Sequence, residues 1–376
     1  MLRGGIPIGR AFGISLRLNY SWFFIFALVT WALAAEYFPA SYPSWSLATK
    51  IGAGILTSIL FFTSVLAHEL AHSIVAQRKG IPVRSITLFI FGGVSQITEE
   101  PKKPKDEFRM AIAGPLTSLV IGGICWGGWF WLHGMTGPAE FVSAVAYWLG
   151  LINIFLAVFN LIPGFPLDGG RMLRSVLWGR SGNLHNATKT ASNIGRGVGY
   201  AFIFGGIFLI FRGSWFNGLW LAFIGWFLEN AAVGSYRQLA LQEALQGHIV
   251  SEIMTREHPS VPPELTIERL VNEHILTTGR RSLPVVRDNR VMGLITLHDI
   301  KAVPRDLWST ETVEEAMIPF NNVKWVRPDE DLSTILRIFA EDDVNQVPVV
   351  EDHKIVGMVA RDNLLSFVNV RSQLGM

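Results

Sequence analysis

The sequence holds a single cysteine, Cys125, so neither a disulfide framework nor a thiolate metal site can be built from it. Charge is scarce as well. Only 16% of the 376 residues are Asp, Glu, Lys or Arg, and the balance of 32 basic to 30 acidic residues leaves a net charge of +2. That balance offers no bulk attraction to nucleic acid, which is excluded as a partner. The opening stretch MLRGGIPIGRAFGISLRLNY lacks a short apolar core followed by a small-residue cleavage site. It therefore reads as a retained interfacial segment and not as a removed signal peptide.

Apolar residues fill the space that charge leaves. They make up half of the chain and give a mean hydropathy of +0.34, more than a soluble protein of this length carries. The excess is uneven. Eleven of the thirteen Trp precede residue 240, and from about residue 248 onward the chain has the charge content of an ordinary soluble domain. A membrane part over 1–240 followed by a soluble part is the expected division.

A spanning helix needs about 20 mostly apolar residues. Six segments qualify, at 20–38, 51–74, 108–132, 141–162, 197–212 and 215–233, with Arg212, Gly213 and Ser214 forming a tight turn between the last two. Lys and Arg cluster in three places: Arg3, Arg10 and Arg17; then Arg78, Lys79, Arg84, Lys102, Lys103 and Lys105; then Arg171, Arg174, Arg180, Lys189 and Arg196. The intervening loops hold almost none. Six spans with a cytoplasmic N-terminus put every basic cluster, and the soluble part, on the cytoplasmic side of a cell membrane.

The second span carries His68-Glu69-Leu70-Ala71-His72. Histidines four apart project from one helix face about a turn apart, which suits two imidazole ligands on one zinc. Glu69 beside them can take a proton from a water at the metal without being a ligand. With nine His in the chain, such a pattern should arise by chance on the order of 0.01 times. Polar residues here are also expensive, since a carboxylate at a span centre costs about 2.5–3.5 kcal/mol on insertion scales. A catalytic zinc usually has three protein ligands, so a third is needed at the same depth. The fourth span ends in Asn160-Leu161-Ile162-Pro163-Gly164-Phe165-Pro166-Leu167-Asp168-Gly169-Gly170, where the prolines stop regular helix pairing and Asp168 offers a hard oxygen ligand. The charge-based topology puts it on the same side as the histidines.

An HExxH on a transmembrane helix followed by NxxPxxxLDGG resembles the site-2 protease family of intramembrane zinc metalloproteases, over about residues 1–235. The resemblance implies that His68, His72 and Asp168 hold one catalytic zinc, that Glu69 is the general base, and that Asn160 donates to the oxyanion of the tetrahedral intermediate. Residues 83–98, VRSITLFIFGGVSQIT, read as a β-hairpin with a two-residue turn at Gly92-Gly93. An edge strand there could pair with an unwound substrate segment, a role the resemblance also implies. Gly114-Pro115 should kink or loosen the third span, or simply pack helices closely. The remaining histidines (133, 185, 248, 258, 274, 298 and 353) show no ligand spacing.

The soluble part is a repeat. Residues 249–302 and 313–368 share an order of elements: IVSEIM against VEEAMI, Leu283-Pro284-Val285-Val286 against Val347-Pro348-Val349-Val350, and a closing GLITLHD (293–299) against GMVARDN (357–363). This is similar to a tandem pair of CBS domains, an α/β module that commonly binds adenine nucleotides. The resemblance implies that Thr296 and Asp299 contact ribose of ATP or AMP, and that the pair offers a route to a homodimer. Ala360 and Asn363 depart from that pattern in the second repeat. The expected molecule is thus a multi-pass α-helical membrane protein with a β-hairpin at its active site and a C-terminal CBS pair. It would be an endopeptidase acting on membrane-protein substrates in the bilayer. The rival reading, a CBS-regulated transporter or channel, should show repeated halves or paired broken helices in 1–240, and none is visible.

Overall fold

A computed structural model describes residues 5–97, 100–288, 290–341, 344–352 and 354–374; Arg3, the last residue of the expected hairpin (Thr98) and His353 lie outside them. Contacts divide the chain into two compact units, Met1–Arg237 and Gln238–Met376.

The first unit opens with two short strands, β1 (Gly5–Ala11) and β2 (Ile14–Asn19). The side chain of Asn19 then accepts from the Ser21 N–H and starts α1 (Tyr20–Ser41), which includes a π-helical turn at Leu33–Tyr37. Ser46 caps α2 (Leu47–Arg78) in the same way, through the Thr49 N–H. The hairpin follows as β3 (Val83–Phe89) and β4 (Gly92–Ile97), then α3 (Pro104–Leu132), α4 (Pro138–Asn160), α5 (Asp168–Ser181), α6 (Leu184–Phe211) and α7 (Trp215–Leu245). Proline stands at the start of both α3 and α4, where its missing N–H costs nothing.

Among the described residues five helices, α1, α2, α3, α4 and α6, are long and apolar enough to cross a membrane. The sixth expected span, 215–233, falls within the 31-residue α7. The fifth differs from expectation at its start. The sequence pattern begins it at 197, but Asn183 caps the helix and it runs from Leu184, because its polar first turns bury Ala187, Thr188, Ala191 and Ser192. Of the five, α2 is the most buried, and α1 and α6 are the most exposed.

The strands form one sheet in the order β1-β2-β3-β4, with β2 parallel to β3 through Ser15↔Ser85 to Leu18↔Leu88. Its apolar face, with Ile14, Leu16, Val83 and Ile86, packs on Ala76 of α2 and Met110 of α3. The hairpin turn is corrected by two residues. Phe89 pairs with Gly92 and Leu88 with Gly93, so the two turn residues are Ile90 and Phe91, and both glycines belong to the edge strand β4.

In the second unit β5 (Ser282–Arg287), β6 (Arg290–Thr296) and α8 (Leu297–Ala302) make the first repeat. Helix α9 (Leu332–Glu341), β8 (Gln346–Glu351), β9 (Lys354–Ala360) and α10 (Arg361–Leu374) make the second. Asp288 and Asp352 take matching left-handed φ values of 49° and 48° at the two hairpin turns. The packing cuts the chain differently from the sequence repeat. Val250 and Ile253, which lead the first repeat, are buried with Leu332, Val347 and Val359 of the second. Val313, which leads the second, is buried with Leu283, Val285 and Ile295 of the first. A short strand β7 (Ile318–Pro319) likewise adds to β6, and Thr255 bridges to Met358 of β9. Each repeat completes the other's core.

Candidate metal centre

His68 and His72 lie in the second half of α2, about 15 Å and about 9 Å along the helix from its end at Arg78. Asp168 is the first residue of α5. The three are brought together, with their ligand atoms all within 4.8 Å of one another. Asp168 Oδ2 is 3.1 Å from His68 Nε2 and 3.2 Å from His72 Nε2, and the two Nε2 atoms are 3.2 Å apart. Both imidazoles are almost fully buried.

The opposite ring nitrogens face away from this triangle. His72 Nδ1 is 2.7 Å from the Met110 carbonyl oxygen. A carbonyl can only accept, so Nδ1 carries a proton, and in the neutral ring Nε2 then presents its lone pair to the centre. His68 Nδ1 is 2.9 Å from Ser118 Oγ. With each ring neutral and its proton on Nδ1, two imidazole lone pairs and a carboxylate oxygen converge at these distances, a donor set that suits a cation. A tetrahedral zinc with bonds of about 2.0–2.1 Å has ligand atoms about 3.3 Å apart, so the edges of the triangle match it, and the N/N/O donor set is one zinc accepts. The residues fit the ion.

Glu69 stands beside the triangle against the hairpin. Its Oε2 accepts from Ser95 Oγ of β4 at 3.0 Å, and Ser95 Oγ is 3.2 Å from Ser73 Oγ. Gly93 makes the approach possible: an added Cβ would lie 2.8 Å from Glu69 Cδ and closer still to its Cγ. The expected looseness at Gly114-Pro115 takes a different form. Helix α3 continues through Pro115, and Gly114 is the point at which its backbone passes the Nε2 atoms of His68 and His72.

Asp168 is anchored from behind. Gly170, whose Cβ would meet the Phe165 N and Gly164 backbone, lets α5 start tightly against the preceding loop. Two turns on, Arg174 Nε donates to Glu107 Oε1 of α3 at 2.6 Å, with both side chains buried. The Arg174 guanidinium also lies over the Phe165 ring, 5.2 Å from its centroid. A buried pair of this kind adds little net stability but is costly to break, so it pins α5 to α3.

Asn160 is not drawn into the triangle by its bond: its Nδ2 donates to the Leu156 carbonyl one turn back at 3.0 Å. In the second unit Thr296 and Asp299 lie together at the start of α8. Asp299 Oδ2 accepts from the Thr296 hydroxyl at 2.6 Å and from its N–H at 2.9 Å. Asn363 holds the equivalent place by accepting from the Ala360 N–H at 2.8 Å. The sequence reading missed Ser118, Ser95, Glu107 and Arg174. Ser118 and Glu107 had a visible signal, being polar residues on the same face of an apolar span; the Met110 carbonyl, as backbone, had none.

Comparison with known proteins finds matches for both parts of the chain. Residues 56–140 and 134–206 match Peptidase family M50, and residues 250–306 and 313–370 match the CBS domain. Rip3 of Mycobacterium tuberculosis is 35% identical over 371 residues, covering 98% of this chain and 94% of its own. The zinc metalloprotease MJ0392 of Methanocaldococcus jannaschii is 30% identical over 321 residues, covering 83% of this chain and 84% of its own. Among solved structures, a site-2 protease from Methanocaldococcus jannaschii aligns with a TM-score of 0.43 at 29% identity, covering 62% of this chain and 95% of that one. The chain belongs to the site-2 proteases of Peptidase family M50, as a zinc metalloprotease that carries a C-terminal pair of CBS domains.

Proposed function

We propose that this protein is an intramembrane endopeptidase that hydrolyses peptide bonds in or near transmembrane segments of other membrane proteins. The observation that carries the proposal is the triangle of His68 Nε2, His72 Nε2 and Asp168 Oδ2, whose two histidines lie about 9–15 Å inside a membrane-length helix. These three residues would hold zinc, which when bound polarises a carbonyl and acidifies water.

The chain's own groups do the rest. Glu69 accepts the proton of the attacking water and returns it to the amide nitrogen as the C–N bond breaks. Ser95 holds that carboxylate against β4. As the outermost strand of its sheet, β4 supports pairing with a substrate stretched into extended form, which bares the scissile bond. Asn160 at the end of α4 would release the Leu156 carbonyl to donate to the oxyanion. The purified protein should cut a synthetic transmembrane peptide, lose that activity to a zinc chelator, and regain it on adding zinc. Cleavage that persists after the metal is stripped would defeat the proposal.

The basic clusters favour an orientation in which the N-terminus, the CBS pair and the mouth of the site face the cytoplasm. We infer further that adenine nucleotide binds the CBS pair through Thr296 and Asp299, whose hydroxyl and carboxylate are paired at a helix start and can exchange that bond for ribose hydroxyls. Sealed inverted membrane vesicles test both claims. ATP or AMP added outside should bind, and Asp299→Ala should weaken binding about 10–100-fold, the value of one to two lost hydrogen bonds to a charged group. Binding confined to right-side-out vesicles would reverse the orientation, and binding in neither would remove the nucleotide.

A further inference from the structure

Helix α3 (Pro104–Leu132) presents Glu107, Met110, Gly114 and Ser118 at helical spacings of three, four and four, so all four lie on one face over about 16 Å. Each meets the metal centre or its supports. Glu107 holds Arg174 of α5, the Met110 carbonyl holds His72, Gly114 passes both Nε2 atoms, and Ser118 meets His68.

Ser118 differs from several hydroxyls of the helices around it. Thr63, Thr117, Ser175 and Thr188 donate to a carbonyl three or four residues back, as such side chains usually do inside a helix. The Ser118 hydroxyl, fully buried, is instead 2.9 Å from a histidine nitrogen fifty residues away. Its position relative to His68 matches that of the Met110 carbonyl relative to His72.

We propose that Ser118 is a positioning residue for the metal. The His68 Nδ1–H donates a hydrogen bond to its oxygen, which fixes the ring plane and the tautomer that turns the Nε2 lone pair toward His72 and Asp168. This rests on the zinc reading of the triangle, and it assigns to one helix the orientation of both imidazoles. Outer partners of ligand histidines commonly govern metal affinity in this way.

The test is zinc affinity of the full-length protein in detergent, by competition with a chromophoric chelator, together with the optical spectrum of the cobalt(II) form. Ser118→Ala should bind zinc about 10–100-fold more weakly than the unaltered protein and shift the cobalt bands. Ser64→Ala is the control: Ser64 is a buried serine of α2 that donates to the Phe61 carbonyl and should leave both readouts unchanged. Equal affinity in Ser118→Ala and the unaltered protein overturns the assignment of Ser118 while leaving the metal centre standing. Equal weakening in Ser64→Ala also overturns it, since general packing would then be the cause. No zinc binding by the unaltered protein overturns the metal centre and this inference together.

Discussion

Glu69→Gln should keep its zinc in full and lose about 10²–10⁴-fold in the rate of peptide cleavage, the share that a positioned general base supplies. Glutamine has the shape of glutamate and can still bond to Ser95 Oγ, so the contact with β4 survives the change. What it cannot do is accept a proton. The three proposed donor atoms belong to His68, His72 and Asp168, none of which is altered, so metal content measured by atomic absorption should match the unaltered protein. His68→Ala provides the contrast, because it removes a donor and should lose zinc and cleavage together. A Glu69→Gln protein that retains zinc and still cleaves at an undiminished rate would show that another group takes the proton.

How much of this centre can be read from the chain depends on the distance over which each part is determined. The pairing of His68 with His72 is local, since four residues on any helix give the same geometry, and the sequence alone suffices. The assignment of Asp168 comes from its motif, as nothing in the local pattern places residue 168 beside residue 68. Of the supports, Ser118 and Glu107 showed only as polar residues along one helix face; what they touch was not legible, because those contacts arise where separate helices meet. Gly114 looked like a loosening point beside Pro115, while its role is to bring a backbone against two imidazoles. Gly92 and Gly93 looked like a turn by residue type, but Gly93 has to lie in the strand because a side chain there would strike Glu69. The parallel pairing of β2 with β3 joins segments more than sixty residues apart, and the exchanged segments of the CBS pair join opposite repeats. Periodicity within a segment shows neither. The same holds for α6, whose first turns are polar in sequence yet buried in the fold.

Gly114→Ala should abolish zinc binding while leaving the protein folded. An added Cβ at this position would lie 2.5 Å from His68 Nε2 and closer still to His72 Nε2, far inside any contact that carbon and nitrogen tolerate. Something has to move. The methyl is fixed to a helix backbone packed on both neighbours, whereas the imidazoles can turn about their side-chain bonds, so the rings give way. Turning them costs the bonds from Nδ1 to Ser118 and Met110 and swings both Nε2 lone pairs off the triangle. Losing one outer partner weakens metal binding by about 10–100-fold, and here both partners and the ligand directions are lost at once, so the loss should be at least that large. Alanine is also a better helix former than glycine by roughly 0.5–1 kcal/mol, which works against any general unfolding of α3. The two effects therefore have opposite signs, and a thermal melt separates them. Gly123→Ala on the same helix supplies the baseline, because a Cβ there meets nothing within 4 Å. That variant should bind zinc normally and melt no lower than the unaltered protein. If Gly114→Ala binds zinc as tightly as Gly123→Ala, the imidazoles do not sit where α3 passes them, and the geometry of the centre is wrong.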